Sequence, residues 1–333
     1  MTTILLSKAF QAEFGQQLHD TCAKNALKLD IIDIPEGGAP PLSDADLARI
    51  ECFFLSRDVR FSKELWPYAQ QLVPTIPNIK WLHFASSGAS QHKWLASKLE
   101  QGLTVTTSVG NNAEPVAQTA LLGLLMLARP AMLWVKSRPK REWVQRTGKD
   151  VPPDIAGQTI VIVGLGSIGR HLARMVLALR MNVIGIRRSP RTAEDPEGVD
   201  IQPPSRLMEL VPQADWIVFC LPATSETRGL LSKEMLGRMK RTAYVINVAR
   251  GDVIDEEALI EALRTNRIAG AHLDVFNEEP LPPSSPLWDL PNLFLTPHNA
   301  SVSQGNNRRA NEIFLDNFVH FARGEPLKNV LPR

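Results

Sequence analysis

At 333 residues the chain exceeds the ~250–300 residues at which a single core stops growing, so two domains are expected. Its 37 Lys and Arg against 35 Asp and Glu leave a net charge of +2, with no long basic run, which gives no electrostatic case for nucleic acid or an anionic membrane as partner. Three widely spaced cysteines, Cys22, Cys52 and Cys220, form neither a disulfide framework nor a metal-ligand cluster, so no metal is expected and a reducing cytoplasm is favoured.

The first residues, MTTILLSKAF, lack the basic start, long apolar segment and cleavage site of a signal peptide. From there to about residue 100, short strands at 3–6, 29–32, 52–55 and 81–84 alternate with helical stretches, the pattern of a small α/β layer. Ala85, Ser86, Ser87, Gly88 and Ala89 follow its last strand. Their backbone N–H groups suit a carboxylate, and an ordinary turn is the alternative. Residues 105–108 begin a crossing toward a second domain, Glu114-Pro115 opens a strongly apolar helix over 116–129, and Pro130 should kink or end it. The longest apolar stretch, 120–128, is about half the ~20 residues that a membrane span needs, so a soluble protein is expected.

The most informative stretch is TIVIVGLGSIG at 159–169. Five β-formers without polar alternation read as a strand buried on both faces of a parallel sheet. Ile168, Leu172, Val176 and Leu179 then recur at helical spacing. In such a turn Gly164 permits the sharp reversal, Gly166 lets backbone approach a pyrophosphate, and Gly169 allows close helix–strand packing, with the helix N-terminus holding the phosphates. The next strand, 182–186, ends at Arg187, Arg188 and Ser189, where an acid would hold the ribose 2′-hydroxyl of NAD. Two guanidiniums and a hydroxyl suit a 2′-phosphate instead, which predicts NADPH in preference to NADH; two solvated surface arginines are the alternative.

Further buried strands follow at 216–221, ending at Pro222, at 243–248, ending at Ala249, Arg250 and Gly251, at 268–275, and at 293–296. Asp255, Glu256 and Glu257 open a helix with acids in its first turn. Strands joined by helices predict a doubly wound parallel sheet whose ligands lie beyond the strand C-terminal ends. Arg250, Glu279 and His298 all fall at such ends. Singly, each has a bland reading as an ion-pair partner, a solvated loop acid or a structural histidine.

The blocks VGLGSIG, AYVINVARGDVIDEEAL, AGAHLDVFNEEPLP and LFLTPHNA, with the terminal GEPLKNV, resemble in order the signature blocks of the D-isomer-specific 2-hydroxyacid dehydrogenases, and the arginine-bearing second strand resembles the NADPH-dependent glyoxylate/hydroxypyruvate reductase branch. The resemblance implies two Rossmann-like doubly wound α/β domains, with a dinucleotide-binding domain over 103–295 inserted in a discontinuous substrate domain of 1–102 and 296–333. It implies catalysis by Arg250, Glu279 and His298, with Ser87, Gly88, Arg250 and His298 on the substrate. The cofactor would meet Gly164, Gly166, Ser167, Ile168, Gly169, Arg187, Arg188, Ser189, Leu221, Pro222, Val248, Ala249, Arg250, Asp274 and His298. A small 2-keto acid, glyoxylate, hydroxypyruvate or a bulkier relative, is the implied substrate, and a cytoplasmic homodimer the implied state. Ser90 stands where the family often has an acid, which leaves side-chain preference open, and Trp288 walls the pocket or packs a domain seam. Alternatives on the same fold are a nucleotide-sensing corepressor-like scaffold and a formate or phosphite dehydrogenase; Glu279 is an acid where formate dehydrogenases carry glutamine.

Overall fold

In the computed structural model, which describes residues 1–37, 41–87, 93–148 and 151–331, the alternation of short apolar runs with helices produces two parallel sheets. They belong to two compact units, Met1–Asn112 with Ser303–Arg333, and Ala113–Val302.

The first unit contains β1 (Thr2–Leu6), β2 (Leu29–Asp33), β3 (Cys52–Leu55), β4 (Trp81–Phe84) and β5 (Thr104–Thr107) in the order β2-β1-β3-β4-β5. This is the 2-1-3-4-5 doubly wound order, and its direction of winding reverses between β1 and β3. One face packs on the Gly305–Arg323 helix, where Phe314 stacks on Phe54 with ring centroids 4.1 Å apart, so the C-terminal segment completes the N-terminal core. Residues 105–108, expected to start a crossing, instead lie largely in the edge strand β5, paired with β4.

The second unit contains β6 (Thr159–Val163), β7 (Asn182–Ile186), β8 (Val199–Gln202), β9 (Trp216–Phe219), β10 (Tyr244–Asn247), β11 (Gly270–Leu273) and β12 (Leu293–Leu295), ordered β12-β11-β10-β9-β6-β7-β8. All neighbours run parallel. The uninterrupted apolar character of β6 follows from its position. Val161 and Val163 join one hydrophobic cluster while Ile160 and Ile162 join the cluster on the opposite face. The sequence reading missed β8, whose VDIQ is short and half polar as an edge strand tolerates.

The unit boundaries, at 112/113 and 302/303, differ from the 102/103 and 295/296 read from the sequence. The reason is hydrogen bonding: β5 is tied to β4, and Thr296 and His298 donate their amides to Leu273 and Asp274.

The apolar helix forms over Ala113–Ala128, and Ala131–Ser137 leaves it at 76°, with Pro130 at the break. Among the described residues no single helix is long and apolar enough to cross a membrane. Its buried residues Val116, Ala117, Ala120 and Leu124 cover the sheet, and Gly123 sits directly over His272. A Cβ at Gly123 would lie 2.0 Å from His272 Nδ1 and 2.8 Å from its Cβ. Gly123→Ala should therefore destabilise the unit by about 1–3 kcal/mol, the usual scale of overpacking. An unchanged urea midpoint in the variant would refute that tight contact.

Candidate active site

The glycine turn occupies the point where the sheet order reverses, between β6 and β9. Gly164 adopts φ +101°, and a Cβ there would stand 2.8 Å from the Cys220 carbonyl carbon and 2.9 Å from Leu221 Cβ. Only glycine lets the two strand ends approach so closely. A Cβ on Gly169 would meet Gly164 O at 2.3 Å, which fixes how near the helix lies to the strand, whereas Gly166 faces open space. Gly166 is the N-cap of the Ser167–Ala178 helix and has no side chain to occupy the helix's free N–H groups. Ser167 and Ile168 form its first turn. A cleft of about 380 Å³ opens over this turn, lined by Gly164, Gly166, Arg187, Arg188, Leu221 and Pro222 among others.

Of the three residues that end β7, Arg188 and Ser189 are exposed while Arg187 turns inward, with 8% of its side chain exposed. Arg187 grips Asp195 through both terminal nitrogens, at 2.7 and 2.5 Å. Burial alone would raise the Asp195 carboxyl, but the Thr192 amide, Arg187 and Arg170 hold it well below the ordinary carboxylate range. Nothing in the sequence pattern marked Asp195.

Arg250 follows β10. Its turn is clamped by Asn247, whose side-chain amide donates to Arg250 O at 2.9 Å and whose carbonyl accepts from Ala249 N at 3.0 Å. Val248 and Ala249 are buried, and the Arg250 side chain is exposed. Gly251 presses against the exit of β11: a Cβ there would lie 2.0 Å from Phe276 C and O. The Arg250 turn thus abuts the segment that carries Glu279, whose Oε1 accepts from Phe276 N at 2.9 Å.

His298 is held with φ +48° in a turn organised by Asp274, 2% exposed. Asp274 O accepts from His298 N at 2.7 Å, and its carboxylate accepts from Thr296 Oγ1 at 2.6 Å, Asn299 N at 3.0 Å and Ala300 N at 3.1 Å. Thr296 Oγ1 spends its single hydrogen on Asp274, so it accepts from His272 Nε2 at 3.1 Å. Burial pushes His272 down to about 4, and its Nδ1 is a buried atom without a partner, the neutral tautomer this chain requires.

His298 Nδ1 meets Glu279 Oε2 at 2.5 Å. Burial would raise the Glu279 carboxyl, but the His298 hydrogen bond, the Phe276 amide and the charges of His298 and Arg250 hold it below its ordinary value. An ionised carboxylate only accepts, so Nδ1 carries the proton of this bond. Beside the pair lies a cavity of about 560 Å³, walled by Phe276, Leu281, Trp288 and Leu295, with Trp288 Nε1 donating to Pro282 O at 3.0 Å. Trp288 is therefore a pocket wall.

In the first unit, Ser87 Oγ donates to Asn111 Oδ1 at 3.0 Å in the loop after β4, and Asn111 in turn donates to Ala85 O at 3.2 Å. Gly88 and Ser90 lie outside the described residues. Asn247, Gly251 and Thr296 were given no role from the sequence, although all three lie inside the quoted blocks.

Because the folded-state pKa of Glu279 is depressed, its contribution to stability is fully present above the unfolded value of about 4.3 and is lost as pH falls through the folded one. Glu279→Gln should lower the thermal midpoint at pH 7, and the two midpoints should converge as the pH drops below about 4. A constant gap across that range would contradict the depressed carboxyl.

The family model for the D-isomer specific 2-hydroxyacid dehydrogenase, NAD binding domain, matches residues 121–300. A glyoxylate reductase of Korarchaeum cryptofilum is 35% identical over 237 residues, 70% of each chain. An (S)-sulfolactate dehydrogenase of Chromohalobacter salexigens is 36% identical over 66% of this chain and 70% of its own. The fold is similar, with a TM-score of 0.69 and 27% identity over 99% of this chain and 98% of the other, to a D-isomer specific 2-hydroxyacid dehydrogenase from Xanthobacter autotrophicus Py2 in complex with NADPH and MES. The chain is an oxidoreductase belonging to the D-isomer-specific 2-hydroxyacid dehydrogenase family.

Proposed function

We propose that this enzyme reduces a 2-keto acid, glyoxylate, hydroxypyruvate or a bulkier relative, to the D-2-hydroxy acid, with NADPH preferred to NADH. The observation that carries the reading is the 2.5 Å pair of His298 and Glu279, with the Arg250 charge reaching the same carboxylate. Relatives named glyoxylate reductase support the choice of substrate class.

The residues of the second unit fit a dinucleotide. Gly166 leaves backbone open at a helix N-terminus, and the cleft over it is bounded by Leu221 and Pro222. Bound there, reduced nicotinamide supplies a hydride to the keto carbon. Arg250 offers an always-charged planar fork for the substrate carboxylate and keto oxygen. His298 keeps Nδ1–H on Glu279, which leaves Nε2 to deliver the proton to the oxygen that gains charge. Glu279 fixes the imidazole plane and the tautomer that carries Nδ1–H. In oxidation the same nitrogen receives the proton. Asp274 acts through the turn that it holds. The apolar wall of Phe276, Leu281 and Trp288 beside His298 admits side chains larger than that of glyoxylate.

The same reading includes a homodimer and a cytoplasmic location. Leu122, Leu125, Trp134, Val135 and Trp143 are exposed, Trp143 by 89%, and an isologous partner would cover them. Cys22, Cys52 and Cys220 are all free thiols, in keeping with a reducing compartment.

Steady-state reduction of glyoxylate, hydroxypyruvate, pyruvate and phenylpyruvate with each nucleotide tests the activity. A higher kcat/KM with NADPH is expected, and His298→Ala should lower kcat by roughly 10²–10⁴, the range of a general acid. Tight nucleotide binding without turnover on any keto acid would favour a nucleotide-binding scaffold instead. Sedimentation velocity at micromolar concentration should give a dimer; a monomer throughout would refute that part.

A further inference from the structure

The two arginines at the end of β7 have different jobs. Every guanidinium nitrogen of Arg187 is already engaged: Nε donates to Ser189 O at 2.9 Å, Nη1 to Asp195 Oδ1 at 2.7 Å, and Nη2 to Asp195 Oδ2 at 2.5 Å and to Pro190 O. The Asp195 side chain is completely buried and also accepts from Arg170 Nε at 2.8 Å and Thr192 N at 2.7 Å. Turning Arg187 toward a ligand would strip a buried carboxylate of its main partner, which costs more than one surface contact returns. Arg187 is a staple for residues 189–195.

Arg188 is in the opposite situation. Its side chain is 80% exposed, and its bond is to Glu226 Oε2 at 3.2 Å, on the loop after β9; Glu226 is itself 73% exposed. Both residues line the cleft over the glycine turn. An exposed pair of this kind is weak and easily exchanged.

Resting on the proposed use of this cleft for a nicotinamide dinucleotide, we infer that Arg188, and not Arg187, reads a ribose 2′-phosphate, that Glu226 is the acid opposing it, and that this pair sets the ratio of NADPH to NADH affinity. A 2′-phosphate carries between one and two negative charges near neutrality, so it must take Arg188 from Glu226 and remain close to that carboxylate. The gain of a charge-assisted bond is thereby reduced by repulsion. A 2′-hydroxyl needs an acceptor, and Glu226 supplies one from β9's loop although β7 ends without an acid. The site therefore has a partner for either nucleotide, and Arg187 serves both equally by holding Ser189 and the turn beyond it at the wall of the cleft.

The test is calorimetric titration of the full chain with NADPH and with NADH, without substrate. Glu226→Gln should tighten NADPH and leave NADH equal or weaker, raising the affinity ratio by roughly tenfold, the size of one charge-assisted hydrogen bond. Arg188→Ala should weaken NADPH by a similar factor and leave NADH within about twofold. Both side chains are exposed, so loss of folding does not obscure the result. Arg187→Ala should weaken both nucleotides together and lower the thermal midpoint. The inference is overturned if Glu226→Gln leaves the ratio unchanged, or if Arg187→Ala is selective for NADPH while Arg188→Ala is not. A wild-type ratio at or below one overturns the NADPH preference alone, since the shifts in the variants are measured from wherever that ratio lies.

Discussion

The buried carboxylate of Asp274 is the constraint on which the placing of His298 beside Glu279 depends. At 2% exposure it needs hydrogen-bond donors, and those within reach are the Thr296 hydroxyl and the amides of Asn299 and Ala300. Supplying them bends the chain so sharply after β12 that His298 takes φ +48°, a conformation costing about a kilocalorie or more for a residue with a Cβ. The imidazole is thus presented beside Glu279 because a buried carboxylate at the neighbouring strand end had to be satisfied. His272 extends the arrangement: its ring, packed under Gly123, donates to Thr296 and keeps that hydroxyl aimed at Asp274.

The same device recurs at the other strand exits, each time with a different chemical group. Asn247 bonds both sides of the turn that carries Arg250, and Gly251 allows that turn to touch the Phe276 backbone, which in turn holds Glu279. At the end of β7 Asp195 plays the part of Asp274, a buried carboxylate that orders the loop beyond that strand through Arg187, Arg170 and Thr192. In all three places exposed side chains of the proposed site are borne on backbone that buried polar groups have fixed, and a site so supported keeps its geometry.

Much of this was legible in the sequence, and the reasons are physical. Strands such as β6 and β9 declare themselves because alternate residues enter cores on opposite faces, so no polar residue interrupts them. The glycine turn is legible because each glycine answers a separate contact, and Arg250, Glu279 and His298 stand at strand ends within the four blocks. β5 was misread because Thr104–Thr107 is three-quarters threonine and looks like a polar crossing, when Thr106 satisfies both Trp81 and His83 inside the first unit. The division of labour between Arg187 and Arg188 was hidden for another reason. Asp195 lies eight residues beyond Arg187 in a turn-rich segment, and Glu226 lies thirty-eight beyond Arg188 on another strand's loop, so neither pairing leaves a periodic trace.

Strand order links the two ends of the site. Reading along the sheet, β7 with Arg188 is followed by β6 with the glycine turn, then β9, then β10 with Arg250, and β11 and β12 with Glu279 and His298 beyond. Neighbouring strands lie about 4.8 Å apart, so β7 and β10 are separated by three spacings, roughly 14 Å. On the proposed reading, a molecule gripped by its ribose at β7 and by its pyrophosphate at β6 must extend across β9 before its reactive end reaches the acid–base pair. Only an elongated two-part ligand meets all of these groups at once. Selection at the 2′ position and chemistry at His298 are then separated by the width of the sheet, so Arg188 and Glu226 can tune the choice of nucleotide without disturbing the turn that Asp274 holds.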